Sequence, residues 1–447
     1  MNKNNIFVCD NCGNEYPKWS GRCEACGEWN TLKQLSKKDM EAIKEISVEG
    51  EWREGKLSKL SEVDNHNQRY VCGIEEWDRV MGGGIVKGSL TLFGGEPGIG
   101  KSTLMLQVCD GLIRTSKKIL YVSGEESLPQ VADRANRLNV EVKEIDFLDS
   151  MYLEKIEDVV RQNGYDYVVI DSVQTLVSKT LSGSVGSIMQ IKYCVSKLMH
   201  LAKGFGVTIL LVGHVTKMGE VAGPKILEHL VDVVLYFEGD RSSELRILRG
   251  LKNRYGSIDE TGVFVMTSQG LKNVADISRM FLKERVVDVP GSVVSVAMEG
   301  TRPFLVEIQA IADSTSFGNP KRTSVGVDMT RLSMLLAVLG KRAGINVYDK
   351  DVYLNVVGGF KLKDRSTDLA ILAAVASVIV NRPIENDVVV FGEVGLLGEV
   401  RSVKSTEKRV REAISMGFKN IYSSKGGGTQ AVVVKTVNEL FDYLFRK

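Results

Sequence analysis

The sequence of 447 residues lacks a hydrophobic run long enough to cross a lipid bilayer. Its longest apolar stretch, LAILAAVASVIV at residues 369–380, falls short of the roughly 20 residues that a transmembrane helix needs. The opening residues, MNKNNIFVCD, lack the apolar core of a secretory signal peptide. We therefore expect a soluble cytoplasmic protein without a membrane partner.

The sequence also lacks an excess of charge of one sign. It has 58 Lys and Arg against 56 Asp and Glu, so the formal net charge is +2. No overall basic field would draw the chain onto nucleic-acid phosphates, and any polyanion site must be a local group of basic residues. With 43% hydrophobic and 26% charged residues, the composition excludes a collagenous or mostly disordered chain.

The sequence pattern predicts an α/β protein with four segments. Residues 1–32 hold four of the seven cysteines and are expected to form a metal-binding module. Residues 33–66 are charged and poor in large apolar side chains, as in a linker. In the rest of the chain short apolar runs alternate with helical stretches, as in a parallel sheet with crossover helices, and predict one domain at 67–277 and another at 278–447.

Apolar periodicity places the main elements of both domains. The strands predicted in the first domain are 90–93, 119–123, 167–170, 208–212 and 233–237. The helices predicted between them are 102–113, 129–138, 153–162 and 185–203. The second domain is predicted to contain strands at 292–298 and 305–311 and helices at 329–342, 368–380 and 404–416.

The N-terminal cysteines form two C-x2-C pairs separated by ten residues. They are Cys9, Cys12, Cys23 and Cys26. Each pair can place two thiolates on one metal from a tight turn, and four sulfurs complete the tetrahedral coordination of Zn²⁺. Disulfides or unligated thiols are the alternatives, although a cytosolic setting disfavours disulfides. A closed zinc site of this kind folds a segment that is too small for a core of its own.

The remaining cysteines and the aromatic residues near the pairs have simpler interpretations. Small buried core residues are predicted at Cys72, Cys109 and Cys194, which stand singly among apolar neighbours. Two interpretations stay open for Trp19, Arg22 and Trp29, which either contact DNA or another domain or pack around the metal.

Residues 95–103, GEPGIGKST, match the phosphate-binding pattern G-x4-G-K-S/T between a predicted strand and a predicted helix. The residues of the motif are Gly95, Glu96, Pro97, Gly98, Ile99, Gly100, Lys101, Ser102 and Thr103. The glycines let backbone N–H groups surround the phosphates, Lys101 neutralises β and γ oxygens, and Ser102 can ligate Mg²⁺. The motif predicts ATP and Mg²⁺ as cofactors.

Polar residues at the ends of three other predicted strands complete a candidate hydrolytic site. Asp171 ends the apolar strand YVVID and is the expected second ligand of Mg²⁺. Glu125 and Glu126 follow strand 119–123 and either include the carboxylate that orients water or lie in a solvated loop. His214 comes at the end of the strand predicted at 208–212, and it either contacts the γ-phosphate or caps a loop.

Three segments together resemble the bacterial RadA/Sms family of recombination and DNA-repair ATPases over nearly the whole chain. They are CDNCGNEYPKWSGRCEACGEW, GEPGIGKST with VIDSVQT, and LKNRYG at 251–256, where the family usually has Phe in place of Tyr255. The resemblance implies a RecA-like P-loop ATPase core at 67–277 and a Lon-protease-like domain at 278–447. It also implies that Glu125, rather than Glu126, activates the attacking water.

Four basic residues within nine positions lie beyond the last predicted strand of the core, at Arg246, Arg249, Lys252 and Arg254. They are either suited to reach the ATP of a neighbouring subunit or form a solvated basic hairpin. The resemblance implies that Lys252 and Arg254 act in trans within a homohexameric ring. In that architecture the loops after Asp171 and His214 face the channel. Candidate contacts to DNA phosphates are Lys179, Lys217 and Lys225.

The resemblance predicts a DNA-dependent ATPase of homologous recombination and DNA repair. Such a motor would bind single-stranded and branched DNA and promote branch migration with RecA as its partner. Two other functions stay open at this point. One is an ATP-dependent Lon-like protease, and the other is a non-motor nucleotide switch that shares the RecA-like core.

The protease alternative depends on a serine and lysine dyad in the second domain. Alignment with the nucleophile loop of Lon places Thr367 at the serine position and Glu407 at the lysine position, while Ser366 and Lys408 lie one residue away. Without a lysine matched to a hydroxyl no nucleophile is activated. We therefore expect a non-proteolytic scaffold.

Overall fold

The computed structural model describes residues 6–10, 12–36, 39–40, 68–214, 226–239, 244–274, 276–315, 318–359, 361–425 and 430–445. They divide into two compact units, Met1–Asn273 and Val274–Lys447. Most of the linker predicted at 33–66 lies outside the described residues. The domain boundaries drawn from the sequence remain predictions.

The N-terminal segment forms a small antiparallel sheet of three strands, β1 (Phe7–Cys9), β2 (Glu15–Tyr16) and β3 (Leu32–Gln34). Its buried cluster consists of Cys9, Cys23 and Leu32. Trp19 and Trp29 are 58% and 68% exposed, so the interpretation that they pack around the metal is wrong. A segment with so few buried side chains needs another source of stability, such as a metal.

The rest of the first unit is an α/β fold. Its strands are β4 (Arg69–Tyr70), β5 (Ile85–Val86), β6 (Leu90–Gly95), β7 (Ile119–Ser123), β8 (Ile145–Leu148), β9 (Tyr167–Asp171), β10 (Thr208–His214), β11 (Val233–Glu238), β12 (Leu245–Asn253), β13 (Thr261–Thr267) and β14 (Gly270–Asn273). Its helices are α1 (Glu75–Val80), α2 (Lys101–Ile113), α3 (Leu128–Arg137), α4 (Leu153–Asn163), α5 (Ile188–Phe205) and α6 (Ile226–Leu230), with 3-10 turns at Val142–Glu144 and Val173–Thr175.

Nine of these strands form one sheet in the order β14-β13-β12-β11-β6-β10-β9-β7-β8. The strands from β11 to β8 are parallel, whereas β12, β13 and β14 are antiparallel. The register pairs His214 with Gly95, and it pairs Asp171 with both Val212 and Ser123. The carboxyl ends of β6, β10, β9 and β7 therefore lie side by side, which is where ligands bind in open α/β sheets.

The strands and helices predicted for this unit are confirmed, and their boundaries differ from the predicted ones by at most three residues. Helix α5 begins at Ile188 rather than at 185, because Gly186 has a φ of +80° and the side chain of Ser187 caps the helix by accepting the N–H of Gln190. The sequence did not predict the short elements β4, β5, α1 and α6, strand β8, or the antiparallel strands β12 to β14. Cys72, Cys109 and Cys194 are buried, as expected.

The second unit contains a mixed sheet of seven strands in the order β17-β18-β16-β15-β19-β22-β23. Its strands are β15 (Ser292–Glu299), β16 (Arg302–Ser314), β17 (Arg322–Val325), β18 (Lys350–Val356), β19 (Val388–Val390), β20 (Glu393–Val394), β21 (Val400–Arg401), β22 (Asn420–Ser423) and β23 (Ala431–Val433). Its helices are α7 (Ile277–Leu282), α8 (Met329–Arg342), α9 (Asp368–Ile379), α10 (Thr406–Ser415) and α11 (Val437–Phe445), with a 3-10 turn at Arg365–Thr367. None of the helices in the described parts of either unit is long and apolar enough to cross a membrane.

A buried polar cluster lies where the sequence suggested a protease dyad. The hydroxyl of Ser366 lies 2.7 Å from Asp364 Oδ2 and accepts a hydrogen bond of 2.7 Å from Arg409. Arg409 is 1% exposed and also binds Asp364 and the carbonyl of Val296. Burial raises the pKa of Asp364. The charge of Arg409 and hydrogen bonds from Ser366 outweigh that effect and hold this pKa below its usual value.

The residue that the alignment places at the lysine position, and its neighbour Lys408, lie outside this cluster. Glu407 and Lys408 are exposed, and Glu407 lies 3.8 Å from Arg411. The basic group that meets the Ser366 hydroxyl is instead Arg409, whose guanidinium cannot accept a proton. Arg409 therefore holds Ser366 in place without activating it as a nucleophile. The likeness to Lon itself stays a prediction.

Replacing Arg409 tests how much this cluster stabilises the second unit. Arg409→Ala leaves the partly buried carboxylate of Asp364 without its cation, so we expect the free energy of unfolding to fall by about 3–5 kcal/mol. Lys408→Ala changes an exposed neighbour and is expected to stay within about 0.5 kcal/mol of the wild type. Urea unfolding followed by hydrogen exchange in α9 measures both variants. Equal, small losses would contradict a structural role for Arg409.

Candidate functional site

The phosphate-binding motif forms the turn between β6 and α2. Gly100 has a φ of +111°, and a Cβ atom there would lie 2.4 Å from Met266, so only glycine fits without a shift. Lys101 Nζ donates to the carbonyl oxygens of Gly95 at 2.8 Å and Glu96 at 3.0 Å. The loop thus wraps around its own lysine, and the free N–H groups at the start of α2 provide an anion site.

Lys101 also faces the ends of the neighbouring strands. Its Nζ lies 3.1 Å from His214 Nδ1. Burial lowers the pKa of Lys101 to about 8, although the carboxylates of Asp171 and Glu125 oppose that effect. A phosphate bound in the loop would favour the charged ammonium, so this lysine is suited to hold an anion.

Two oxygen ligands for a divalent cation meet beside the loop. Ser102 Oγ donates to Asp171 Oδ2 at 2.7 Å, and the Tyr121 hydroxyl donates to the same oxygen at 3.0 Å. Asp171 is 5% exposed. Burial raises the pKa of Asp171, while the two hydroxyl donors lower it. A hydroxyl and a carboxylate next to a phosphate site are the ligands that Mg²⁺ takes in nucleotide enzymes, so these residues fit the ion.

The two adjacent glutamates after β7 have different surroundings. The Glu125 carboxylate lies 3.1 and 3.2 Å from His214 Nε2 and accepts a hydrogen bond from Ser172. The hydrogen bond from His214 lowers the pKa of Glu125, despite an opposing effect of burial. Glu126 instead forms a bidentate ion pair with Arg134 at 2.5 and 2.6 Å. Of the two glutamates, only Glu125 contacts His214, and His214 also contacts Lys101.

Three supporting residues of the site were missed or misjudged from the sequence. Tyr121 and Ser172 position Asp171 and Glu125, and only Ser172 had a local signal, since it directly follows Asp171. Arg246, grouped above with residues suited to reach another subunit, is 7% exposed and donates to the carbonyl of Ile99 at 3.1 Å. Arg246 therefore supports the phosphate-binding loop of its own chain.

The basic residues expected to act in trans make contacts within the chain. Lys252 Nζ lies 2.8 Å from the carbonyl oxygens of Glu228 and Val231, at the end of α6. Arg254 lies 3.3 Å from Asp232, which is 1% exposed. Burial and the neighbouring charge of Arg254 lower the pKa of Lys252. The role of both residues in a neighbouring subunit stays a prediction.

Of the three candidate contacts to DNA phosphates, one lies in the described part of the chain. Lys179 is exposed in the loop after β9. Lys217 and Lys225 lie outside the described residues. The segment 215–225, which contains both, directly precedes helix α6, where Lys252 is bound.

The four N-terminal cysteines bring their sulfur atoms together. These atoms all lie within 4.8 Å of one another. Cys9 and Cys26 are 3.7 Å apart, and Cys12 and Cys23 are 3.4 Å apart, so neither pair is a disulfide. Zn–S bonds of about 2.3 Å place the sulfurs of a tetrahedral site about 3.8 Å apart, and the four thiols fit Zn²⁺.

Two tight turns hold the cysteine pairs in this arrangement. The N–H of Gly13 binds the carbonyl of Cys9 at 2.8 Å, and the N–H of Gly27 binds the carbonyl of Cys23 at 2.9 Å. Gly13 and Gly27 have φ angles of +71° and +76°, in the left-handed region that favours glycine. Each turn therefore brings a C-x2-C pair around to one side.

Removing one sulfur tests the zinc assignment. Cys12→Ser is expected to abolish stoichiometric zinc in the purified protein and to increase hydrogen exchange across residues 6–36, because the metal replaces a hydrophobic core there. Cys109→Ala, which alters a fully buried cysteine of α2, should keep one zinc per chain. Metal analysis and hydrogen exchange give the readouts. A wild-type protein that is protected in this segment without zinc would contradict the assignment.

Two parts of the chain match known domain families. Residues 7–34 match a rubredoxin metal binding domain, and residues 57–220, which include the phosphate-binding loop, match an AAA domain. With the geometry above, these matches support a nucleotide-hydrolysing enzyme that binds ATP and carries a zinc module. The crystal structure of the RadB recombinase covers 46% of this chain and 99% of its own, with 19% identity and a TM-score of 0.38. That likeness is too weak to carry an argument about the fold.

Whole-chain similarity is much stronger. The DNA repair protein RadA of Pseudomonas aeruginosa is 45% identical over 450 residues, which cover 98% of both chains. The proteins of the same name from Bacillus subtilis and Escherichia coli are each 45% identical and cover 93% and 92% of this chain, and 91% of their own lengths. At this identity and coverage, the chain belongs to the family of the DNA repair protein RadA.

Proposed function

We propose that this protein is a DNA-dependent ATPase of DNA repair and recombination. It binds single-stranded and branched DNA as a homohexameric ring and promotes branch migration alongside RecA. The observation that carries the proposal is the cluster of Lys101, Ser102, Asp171 and Glu125 at one edge of the sheet. DNA as the polymer is supported by the family to which the chain belongs.

The residues of the cluster divide the steps of ATP hydrolysis among them. The backbone N–H groups of the loop and of the start of α2 bind the phosphates, and Lys101 contacts the β and γ oxygens. Ser102 and Asp171 are the residues that would hold Mg²⁺, and the bound ion would supply positive charge next to the phosphates. Glu125 orients the attacking water, since its carboxylate is held by Ser172 and His214 rather than by an arginine.

His214 links the phosphate site to the water site. Its Nδ1 lies 3.1 Å from Lys101 Nζ, and its Nε2 lies 3.1 Å from Glu125. A γ-phosphate on Lys101 would compete with the imidazole for the ammonium group, so the occupancy of the nucleotide site changes the contacts of His214. Because His214 is the last residue of β10, this change takes place at the end of that strand.

Adjacent glutamates provide a matched test of the hydrolytic role. Glu125→Gln should still bind ATP but hydrolyse it about 10²- to 10⁴-fold more slowly, because it removes the group that positions water. Glu126→Gln should retain most activity, since Glu126 faces Arg134. Phosphate release measures hydrolysis, and binding of a fluorescent ATP analogue measures affinity. Equal loss in the two variants would contradict the assignment of Glu125.

We propose that Lys252 connects hydrolysis with movement on DNA. It caps the helix that follows segment 215–225, which holds Lys217 and Lys225. If Lys252 and Arg254 reach the ATP of the next subunit in a ring, Lys252 must leave the backbone carbonyls at the end of α6, and Arg254 must leave Asp232. Such an exchange would release α6 as the neighbouring site fills, and hydrolysis in one subunit would then move the DNA-binding segment of another.

A branch-migration assay on forked DNA tests the motor function, with and without RecA. The wild type should show ATP hydrolysis stimulated by single-stranded DNA and should extend branched intermediates, whereas Lys101→Ala should do neither. Lys252→Ala and Arg254→Ala should lose branch migration. Lys272→Ala, an exposed lysine on β14 of the same sheet, is the control. The proposal would be refuted if single-stranded DNA left the rate of ATP hydrolysis unchanged and both basic variants kept branch migration.

A further inference from the structure

An exposed tyrosine and an exposed lysine meet beside the nucleotide edge of the first unit. Tyr152 is 46% exposed, and Lys179 Nζ lies 4.5 Å from the centre of its ring. Tyr152 follows β8, and Lys179 lies in the loop after β9, so both come from segments that leave the carboxyl ends of parallel strands. This is the edge at which the phosphate-binding loop lies.

Backbone hydrogen bonds hold the two segments together. The N–H of Leu153 binds the carbonyl of Val177 at 2.9 Å, and the N–H of Val177 binds the carbonyl of Met151 at 3.1 Å. These bonds flank Tyr152 and lie two residues before Lys179. The ring therefore stands at a defined position on the surface rather than at the tip of a loose loop.

A half-buried acid, Glu154, fixes the lysine side of the pair. Glu154 Oε1 accepts hydrogen bonds from the N–H of Lys179 at 3.0 Å and from the hydroxyl of Ser178 at 2.5 Å. Because Glu154 lies in the first turn of α4, it ties the loop to the helix that Tyr152 precedes. The side chain of Lys179 remains exposed, and its ammonium group covers the ring without a carboxylate partner among the described contacts.

We propose that Tyr152 is a base-stacking residue for single-stranded DNA and that Lys179 contacts the adjoining phosphate. The inference rests on the proposed binding of DNA and adds the residue that meets the bases. In the free protein the ammonium group occupies the ring face through a cation–π contact. A phosphate attracts the ammonium more strongly, and the base takes its place on the ring. Every base has an aromatic face, so the contact carries no sequence preference.

The same unit offers a matched control pair on its opposite edge. Arg161 lies 4.8 Å from the centre of the Phe205 ring, and Phe205 is 55% exposed. These residues lie in the last turns of α4 and α5, shortly before β9 and β10 begin. They form an exposed aromatic and basic pair at the amino edge of the sheet, away from the candidate DNA loops.

The inference is tested by measuring how tightly labelled oligo-dT binds to the full chain. The measurement is made with an ATP analogue present and is repeated across a series of salt concentrations. Tyr152→Ala should weaken binding about 5- to 150-fold and leave the salt dependence unchanged, because stacking involves no counterion release. Tyr152→Phe should bind like the wild type. Lys179→Ala should lower the slope of log affinity against log salt by about 0.7 per lost phosphate contact. Phe205→Ala should bind like the wild type.

A second variant keeps the test independent of folding defects. Tyr152→Trp retains a stacking ring and should show fluorescence quenching on addition of oligo-dT beyond that of the wild type, but none with a sugar-phosphate chain that lacks bases. Wild-type protein that fails to bind oligo-dT would overturn the proposed function itself. Normal wild-type binding with full affinity in Tyr152→Ala, or no added quenching in Tyr152→Trp, would overturn only the stacking role.

Discussion

The parallel pairing of β6, β10, β9 and β7 is the constraint on which the site depends. Backbone hydrogen bonds set the register that puts His214 beside Gly95, and Asp171 beside Ser123. Because parallel strands end at the same edge, four segments that are far apart in sequence deliver the lysine, the imidazole and two carboxylates to one place. A slip of one residue in any of these strands would turn its terminal side chain to the other face of the sheet. The lysine, the imidazole and the carboxylates would then no longer meet.

The same register explains why similar residues have unequal roles. Glu125 and Glu126 are adjacent, but one meets His214 and the other meets Arg134 on the next helix. The basic residues of β12 divide in a similar way, since Arg246 is buried against the phosphate-binding loop while Lys252 caps a helix.

The two compact units show opposite uses of a buried polar cluster. In the first unit Lys101, Asp171 and Glu125 are held close together by hydroxyl groups and an imidazole that an incoming phosphate or cation can displace. In the second unit Ser366 is locked between Asp364 and the buried guanidinium of Arg409, whose charge is permanent. The first arrangement is suited to bind and react, whereas the second is suited to hold a fold.

Local patterns in the sequence determined much of this protein. The glycine spacing of the phosphate loop, the two C-x2-C pairs and the apolar strands are each readable within about ten residues, because turns and strands depend on near neighbours. The tertiary structure alone decided the partners of those residues. Tyr121 with Asp171, Arg409 with Ser366, and Tyr152 with Lys179 are contacts between segments that only sheet order and helix packing bring together. No local signal marks such pairs, since each depends on how separate segments of the chain pack against one another.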